Sequence, residues 1–330
     1  MKAVVYDRYG TPEVLRLAEV ERPAPGAGEV LVRVVTTTVT SADWRARSMT
    51  VPTGYALPAR LAFGLLRPKR RILGTELAGE IVALGPGVSG FELGDAVIGF
   101  PGLDFGCHAE FRALDAGRQV VRKPATLSFA EAAALSFGGA TALYFLRRGE
   151  VGPGEKVLIV GASGDVGSAA VQLARHLGAE VTGVCSTANL DLVAALGADR
   201  VIDYTRQDST RGDKRYEVIF DTVGARSVSE SRRVLMPGGR LLLAAGSLVD
   251  ELVRAPLSGL LGGAKVIACT AEEDPEHLKV LAGLAEAGAF RPVIDRTYPI
   301  ERIAEAHAYV GTGRKRGSVV ITVGREPGAS

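Results

Sequence analysis

One short turn constrains this chain more than any other feature. Gly161-Ala-Ser-Gly-Asp-Val-Gly167 lies between the apolar run KVLIV (156–160) and the helical pattern SAAVQLARHLG. Ala162-x-Gly164-x-x-Gly167 has the spacing of a dinucleotide-binding turn, with Ala at the first glycine position. Gly164 lets backbone approach a diphosphate, and Gly167 lets the helix lie close to the strand. Ala162, Ser163, Gly164, Asp165, Val166 and Gly167 are therefore the candidate cradle, because free N–H groups and the helix dipole both favour an anion there. A Gly-rich turn that merely permits tight packing is the alternative. The strand before, the helix after and the continuing alternation favour the nucleotide.

That alternation is long. EVTGVCS (180–186), DRVIDY (199–204), EVIFDTV (217–223), RLLLAAG (240–246) and AKVIACT (264–270) follow, with helical patterns between several of them. Together with KVLIV they predict a six-stranded, doubly wound parallel sheet. Upstream, VLVRVVTTTVT (30–40) is rich in β-branched residues, and Gly and Pro punctuate the apolar runs of residues 76–100, a barrel-like all-β rhythm. The rhythm turns helical near Pro124, where Ser128 and Glu131 stand as a capping box. GSVVITV (317–323) returns to the first domain. The reading is an α/β chain: a β-rich domain over 1–123, a nucleotide-binding domain over 124–270, and a return to the first over 271–330.

With 330 residues the chain is long enough for two domains. A net charge of +2 argues against nucleic acid as a main partner. Cys107, Cys185 and Cys269 form no CxxC pair, so a reducing compartment, by default the cytoplasm, is expected. No uncharged apolar run suggests an integral membrane span. An exposed apolar edge near Val266 to Thr270 predicts a homodimer. Pro58 to Arg71 mixes apolar residues with five basic ones; a lid, a dimer contact and a membrane-surface helix all remain open for it.

The end of the second strand of the alternation bears on the cofactor. NAD binders place an acid there for the ribose 2′-hydroxyl. Here the run is Cys185-Ser186-Thr187-Ala188-Asn189. Ser186, Thr187 and Asn189 can donate to a 2′-phosphate that a carboxylate would repel. NADPH (NADP+) is the expected cofactor, although the usual basic partner is missing.

At this point the residues resemble a known family. Gly154 to Arg175, GEKVLIVGASGDVGSAAVQLAR, is similar to the signature of quinone oxidoreductases, the zeta-crystallin-like branch of the zinc-independent medium-chain dehydrogenase/reductases. Leu73 to Gly79, Gly94-Asp95 and Gly317 to Ile321 extend the likeness. It implies a GroES-like β-rich catalytic domain plus a Rossmann doubly wound parallel sheet. Asp165 departs from the pattern, which has Gly there. The zinc-ligand positions of metal-dependent relatives match Thr40, Thr75 and Phe137, none of which suits zinc, so no metal is expected.

The resemblance implies hydride transfer to a small electrophile: a quinone, enone or activated carbonyl. An enoyl-thioester or carbonyl reductase is the alternative enzyme. A non-catalytic NADPH-binding protein, crystallin- or vesicle-protein-like, is the alternative of another class. Thr40 either meets substrate and nicotinamide or is a strand-end residue bonded to its own backbone. Thr141 either contacts the nicotinamide or bonds a preceding helix carbonyl. Trp44 and Tyr55 are placed on a loop walling the substrate pocket, Tyr55 as a donor or as simple packing. His108 has the same two readings. His176, His277 and His307 fall in helical surface patterns. By resemblance alone, Tyr204, Val223, Gly224, Ala245, Gly246, Arg316 and Ser318 would reach the cofactor.

Overall fold

A computed structural model of the chain describes residues 1–211, 213–258, 264–272 and 274–326. It divides into two compact units. The first comprises Met1–Val51, Ala56–Phe137 and Glu273–Ser330; the second, Pro52–Tyr55 and Gly138–Glu272.

The first unit begins with the hairpin β1 (Lys2–Val5) and β2 (Arg16–Glu19), followed by the long strand β3 (Glu29–Val39). Then come β4 (Leu77–Leu84), β5 (Ala96–Gly99), β6 (Phe111–Asp115) and β7 (Val120–Arg122). The β-branched run of β3 organises this unit. One edge of it pairs with β4, while the other takes β6 along Glu29–Arg33 and β15 (Ser318–Thr322) along Thr36–Val39. Sharing an edge in this way bends the sheet into a barrel-like wrap, and bulges between Leu31 and Val32 and between Val34 and Thr36 assist the bend. β14 (Ile294–Pro299) lies parallel to β15 on the same sheet. Helix α1 (Ser41–Ser48) leaves the end of β3. Helix α2 (Ala56–Phe63) stops ahead of Pro68, and α3 (Phe129–Ala133) opens with the Ser128–Glu131 capping box that the spacing predicts. Because α3 packs on β3 and β4, residues up to Phe137 belong to this unit.

The second unit is the parallel sheet. Its strands are β8 (Lys156–Val160), β9 (Glu180–Cys185), β10 (Arg200–Asp203), β11 (Tyr216–Asp221), β12 (Leu235–Leu243) and β13 (Lys265–Ala268), in the order β10-β9-β8-β11-β12-β13. Val157, Leu158, Ile159, Leu241 and Leu242 are fully buried, as unbroken apolar runs demand in a sheet covered on both faces. Strand order reverses between β8 and β11, a switch point where the carboxyl ends of strands leave room for a ligand. Helices α4 (Ser136–Arg148), α5 (Asp165–His176) and α6 (Leu190–Ala195) cover the strands nearest that point.

Two expectations differ from the structure. Trp44 sits on α1, not on a loop, because Thr40 and Asp43 cap a helix there. His277 and His307 are buried rather than at the surface; helix Ile303–Gly311 turns His307 inward with Ala306 and Val310. In the 58–71 segment, Phe63 packs on Phe105 while Leu61, Leu65 and Leu66 stay exposed, Leu66 by 88%. No helix among the described residues is long and apolar enough to cross a membrane.

Candidate functional site

The glycine turn joins β8 to α5 as its residues require. Gly161 has φ +80°, and a Cβ on Gly167 would lie 2.0 Å from the Gly161 carbonyl oxygen, so strand and helix meet without an intervening side chain. Gly164 is the N-cap of α5 and brings no side-chain cap, which leaves the positive end of the helix open to an anion. Asp165 opens the helix. Its carboxylate turns toward α4, where a Cβ on Gly138 would stand 2.1 Å from Oδ1. The departure from the family pattern is thus accommodated by a second glycine, on another helix.

At the carboxyl ends of the strands, polar side chains knit the turn to its neighbours. Asn189 Nδ2 donates to Ser163 Oγ at 3.0 Å and to Ser186 Oγ at 3.1 Å. Asn189 Oδ1 is buried with no hydrogen-bond partner, an acceptor awaiting a donor. Thr187 donates its hydroxyl to Asp203 Oδ2 at 2.6 Å. Asp203 ends β10 in register with Cys185, and the donors around it, Thr187 foremost, hold its carboxyl below the usual range. The end of β9 carries no acid of its own, but parallel pairing brings Asp203, the next-to-last residue of DRVIDY, alongside it.

Other expected cofactor residues line the same sheet. Tyr204 is 59% exposed, its backbone N–H bonded to the Cys185 carbonyl oxygen. Buried Asp221 at the end of β11 accepts from the N–H groups of Val223 and Gly224 at 3.0 and 2.8 Å, fixing that turn. Gly224, at φ +70°, lies against the Ala245 carbonyl, and Gly246 packs near Leu243 and Ala268. Thr141 is half-buried on α4. Tyr55 belongs to this second unit, with its phenol bonded to Glu251. Arg316 and Ser318 belong to the first, where the Arg316 N–H is bonded to Asp295 at 2.8 Å.

In the first unit, Thr40 and Thr75 share a buried polar cluster around Asp43, and the Phe137 N–H joins another around Glu76. The Thr40 and Thr75 hydroxyls are 3.3 Å apart. Asp43 Oδ2 accepts the Thr40 hydroxyl at 2.6 Å, and Oδ1 accepts the Gly74 N–H at 2.7 Å. Glu76 accepts from the Phe137 N–H at 2.6 Å and the Thr38 hydroxyl at 2.5 Å. Two hydroxyls and a benzyl group do not make a zinc site, and the nearby carboxylates already accept from protein donors. Among the described residues no His, Cys, Asp and Glu side chains gather in a metal-binding group. Trp44 turns its indole toward Gly311, where a Cβ would lie 2.9 Å from Nε1. His108 is fully buried, Nε2 at 2.8 Å from the Thr38 carbonyl oxygen and its ring edge-on to His307.

Two family models match parts of the chain. The alcohol dehydrogenase GroES-like domain family matches residues 26–144, and the zinc-binding dehydrogenase family matches residues 196–321. A quinone oxidoreductase of Rattus norvegicus is 32% identical, over 97% of this chain and 97% of its own length. An NADPH-dependent alkenal/one oxidoreductase of Arabidopsis thaliana chloroplasts is 30% identical, over 97% of this chain and 79% of its own. Among solved structures, the quinone oxidoreductase from Coxiella burnetii superposes with a TM-score of 0.83 at 27% identity, covering 98% of this chain and 99% of that one.

Proposed function

Because the chain belongs to the medium-chain dehydrogenase/reductase superfamily, among its quinone and enone reductases, we propose that it reduces a quinone, enone or activated carbonyl with NADPH. The observation carrying the cofactor half is the uncapped start of α5 over Gly164, where the helix favours an anion. The first-turn N–H groups of α5 would hold the diphosphate. Ser163, Ser186, Thr187, Asn189 and Tyr204 would hold the adenosine ribose. Val223, Gly224, Ala245 and Gly246, with Thr141, would flank the nicotinamide half; Arg316 and Ser318 are further candidates. When bound, the reduced nicotinamide supplies the hydride.

The donor set supports an electron-poor acceptor. Thr40, Thr75 and Phe137 offer no ligands for a Lewis acid that would steady an alkoxide, which favours a substrate that needs only positioning and hydrogen bonds. Of Thr40, Trp44 and Tyr55, Thr40 gives its proton to Asp43 and Trp44 packs on Gly311. Tyr55 likewise gives its proton, to Glu251, so it stands with Thr40 as a candidate that orients the acceptor through hydrogen bonds. We assign the protein to a reducing cytoplasm, where its three free cysteines persist, and to a homodimer paired along β13, the terminal strand of its sheet.

A panel of quinones, enones and simple alcohols, followed by loss of the reduced-nicotinamide absorbance, tests the reaction. Turnover of the electron-poor acceptors alone is expected. Zinc-stimulated turnover of alcohols alone would reverse the assignment. A monomeric mass in solution would remove the dimer.

A further inference from the structure

One ion pair beside the Thr187 hydroxyl has no role in the reading above. Asp203 is only 6% exposed, yet it carries a carboxylate at the level of the expected adenosine ribose. Oδ2 takes the single proton of Thr187 at 2.6 Å; Oδ1 takes the hydroxyl and the N–H of Thr205 at 2.7 and 2.9 Å. Thr187 therefore presents lone pairs, not a proton, to anything bound outside it. Asn189 behaves alike: both contacts of its amide nitrogen are internal, and its Oδ1 is the buried atom left unpaired. Acceptors of this kind suit a ribose 2′-hydroxyl and oppose a phosphate.

The opposite preference stands three residues on. Arg206 Nε lies 3.5 Å from Asp203 Oδ2, with the arginine side chain 75% exposed. So loose and solvated a pair costs little to open. The guanidinium is the basic partner that the end of β9 lacks, and an arginine near this position is the usual neighbour of a 2′-phosphate.

We propose that Asp203, acting through Thr187, and Arg206 form a two-way reader of the adenosine ribose, so that the chain binds both NADH and NADPH. Asp203 is the positioning residue for the free 2′-hydroxyl, and Arg206 swings off it to meet the 2′-phosphate. The inference rests on the cofactor reading above. If Asp203 instead only builds the Thr205 turn, its loss changes the affinity for both cofactors by one factor.

Equilibrium titration of the full chain with NADH and with NADPH, read by nicotinamide fluorescence at low and high salt, separates these cases. The wild type is expected to bind both. Asp203→Asn is expected to shift the affinity ratio about tenfold toward NADPH, by removal of one nearby charge. Arg206→Ala, at an exposed site, is expected to weaken NADPH about tenfold, leave NADH unchanged and flatten the salt dependence of NADPH. Thr187→Val, which breaks the relay without touching the charge, is expected to weaken NADH selectively. Equal shifts for both cofactors in all three variants would overturn the two-way reader alone. Wild-type protein that binds neither nucleotide would overturn the cofactor reading beneath it.

Discussion

Asp43 takes both hydrogen-bond donors of Thr40, the backbone N–H at 2.8 Å and the hydroxyl at 2.6 Å, without any exposed surface of its own. A carboxylate so placed persists only because protein donors replace the water it has lost. Removing it strands the Thr40 and Gly74 N–H groups in the interior. Asp43→Ala is expected to lower unfolding free energy by about 3 kcal/mol, measured by denaturant unfolding. Thr40→Ser should keep the network, whereas Thr40→Val should lose about 1–2 kcal/mol. An Asp43→Ala protein with wild-type stability would show that water reaches this network.

The Thr40 and Thr75 hydroxyls also bear on metal dependence. Their oxygens meet each other and Asp43, and Phe137 contributes only hydrocarbon beyond its backbone. Exhaustive treatment with a chelator is expected to leave quinone or enone reduction at its starting rate. Loss of that rate, with recovery on adding zinc, would contradict the donor-set argument.

Asp165 and Gly138 are coupled through space that neither can share. A methyl at 138 would collide with the Asp165 carboxylate and push it back toward the N-terminal end of α5, the proposed diphosphate seat. Gly138→Ala is expected to weaken NADPH binding by about tenfold, a like charge having entered the anion site. Adding Asp165→Gly should restore the affinity, since the double variant removes the colliding group. Fluorescence titration of the four proteins checks it; additive losses would show that the two residues act separately.

Much of this architecture was legible in the chain because local chemistry and tertiary position agree. KVLIV occupies β8 residue for residue, and Ser128 with Glu131 caps α3, since apolar runs and capping boxes are decided within a few residues. The six-strand count also follows from repetition of the pattern. What the sequence did not disclose depends on strand neighbours. Asp203 stands beside Thr187 because β10 pairs with β9, and no spacing rule along the chain conveys that. His307 faces inward because its helix packs against β3 and α1, so a polar residue at a surface-like spacing lies in the core. The Gly138–Asp165 contact links α4 to α5 across the open end of the turn and is likewise invisible until the helices are placed.

The buried imidazoles predict an acid limit for the first unit. His108 and His307 are fully buried with ring centroids 5.7 Å apart, and among their four ring nitrogens only His108 Nε2 has a hydrogen-bond partner. Burial holds both below the ordinary histidine range. His108 and Arg47 push His307 lower still, while Asp43 partly opposes the shift at His108. Both rings are therefore neutral when folded but gain a proton when unfolded once pH drops below about 6.5. The unfolded chain then binds more protons, so stability is full above that pH and declines below it, by up to about 1.4 kcal/mol per histidine per pH unit. As pH falls through the ordinary histidine range the pair is expected to lower stability, ahead of any loss from carboxylates, whose window lies lower. His307→Leu should reduce that decline in urea unfolding measured at each pH. A wild type equally stable across that range would mean that these nitrogens accept protons in place, and that the core around His307 admits water.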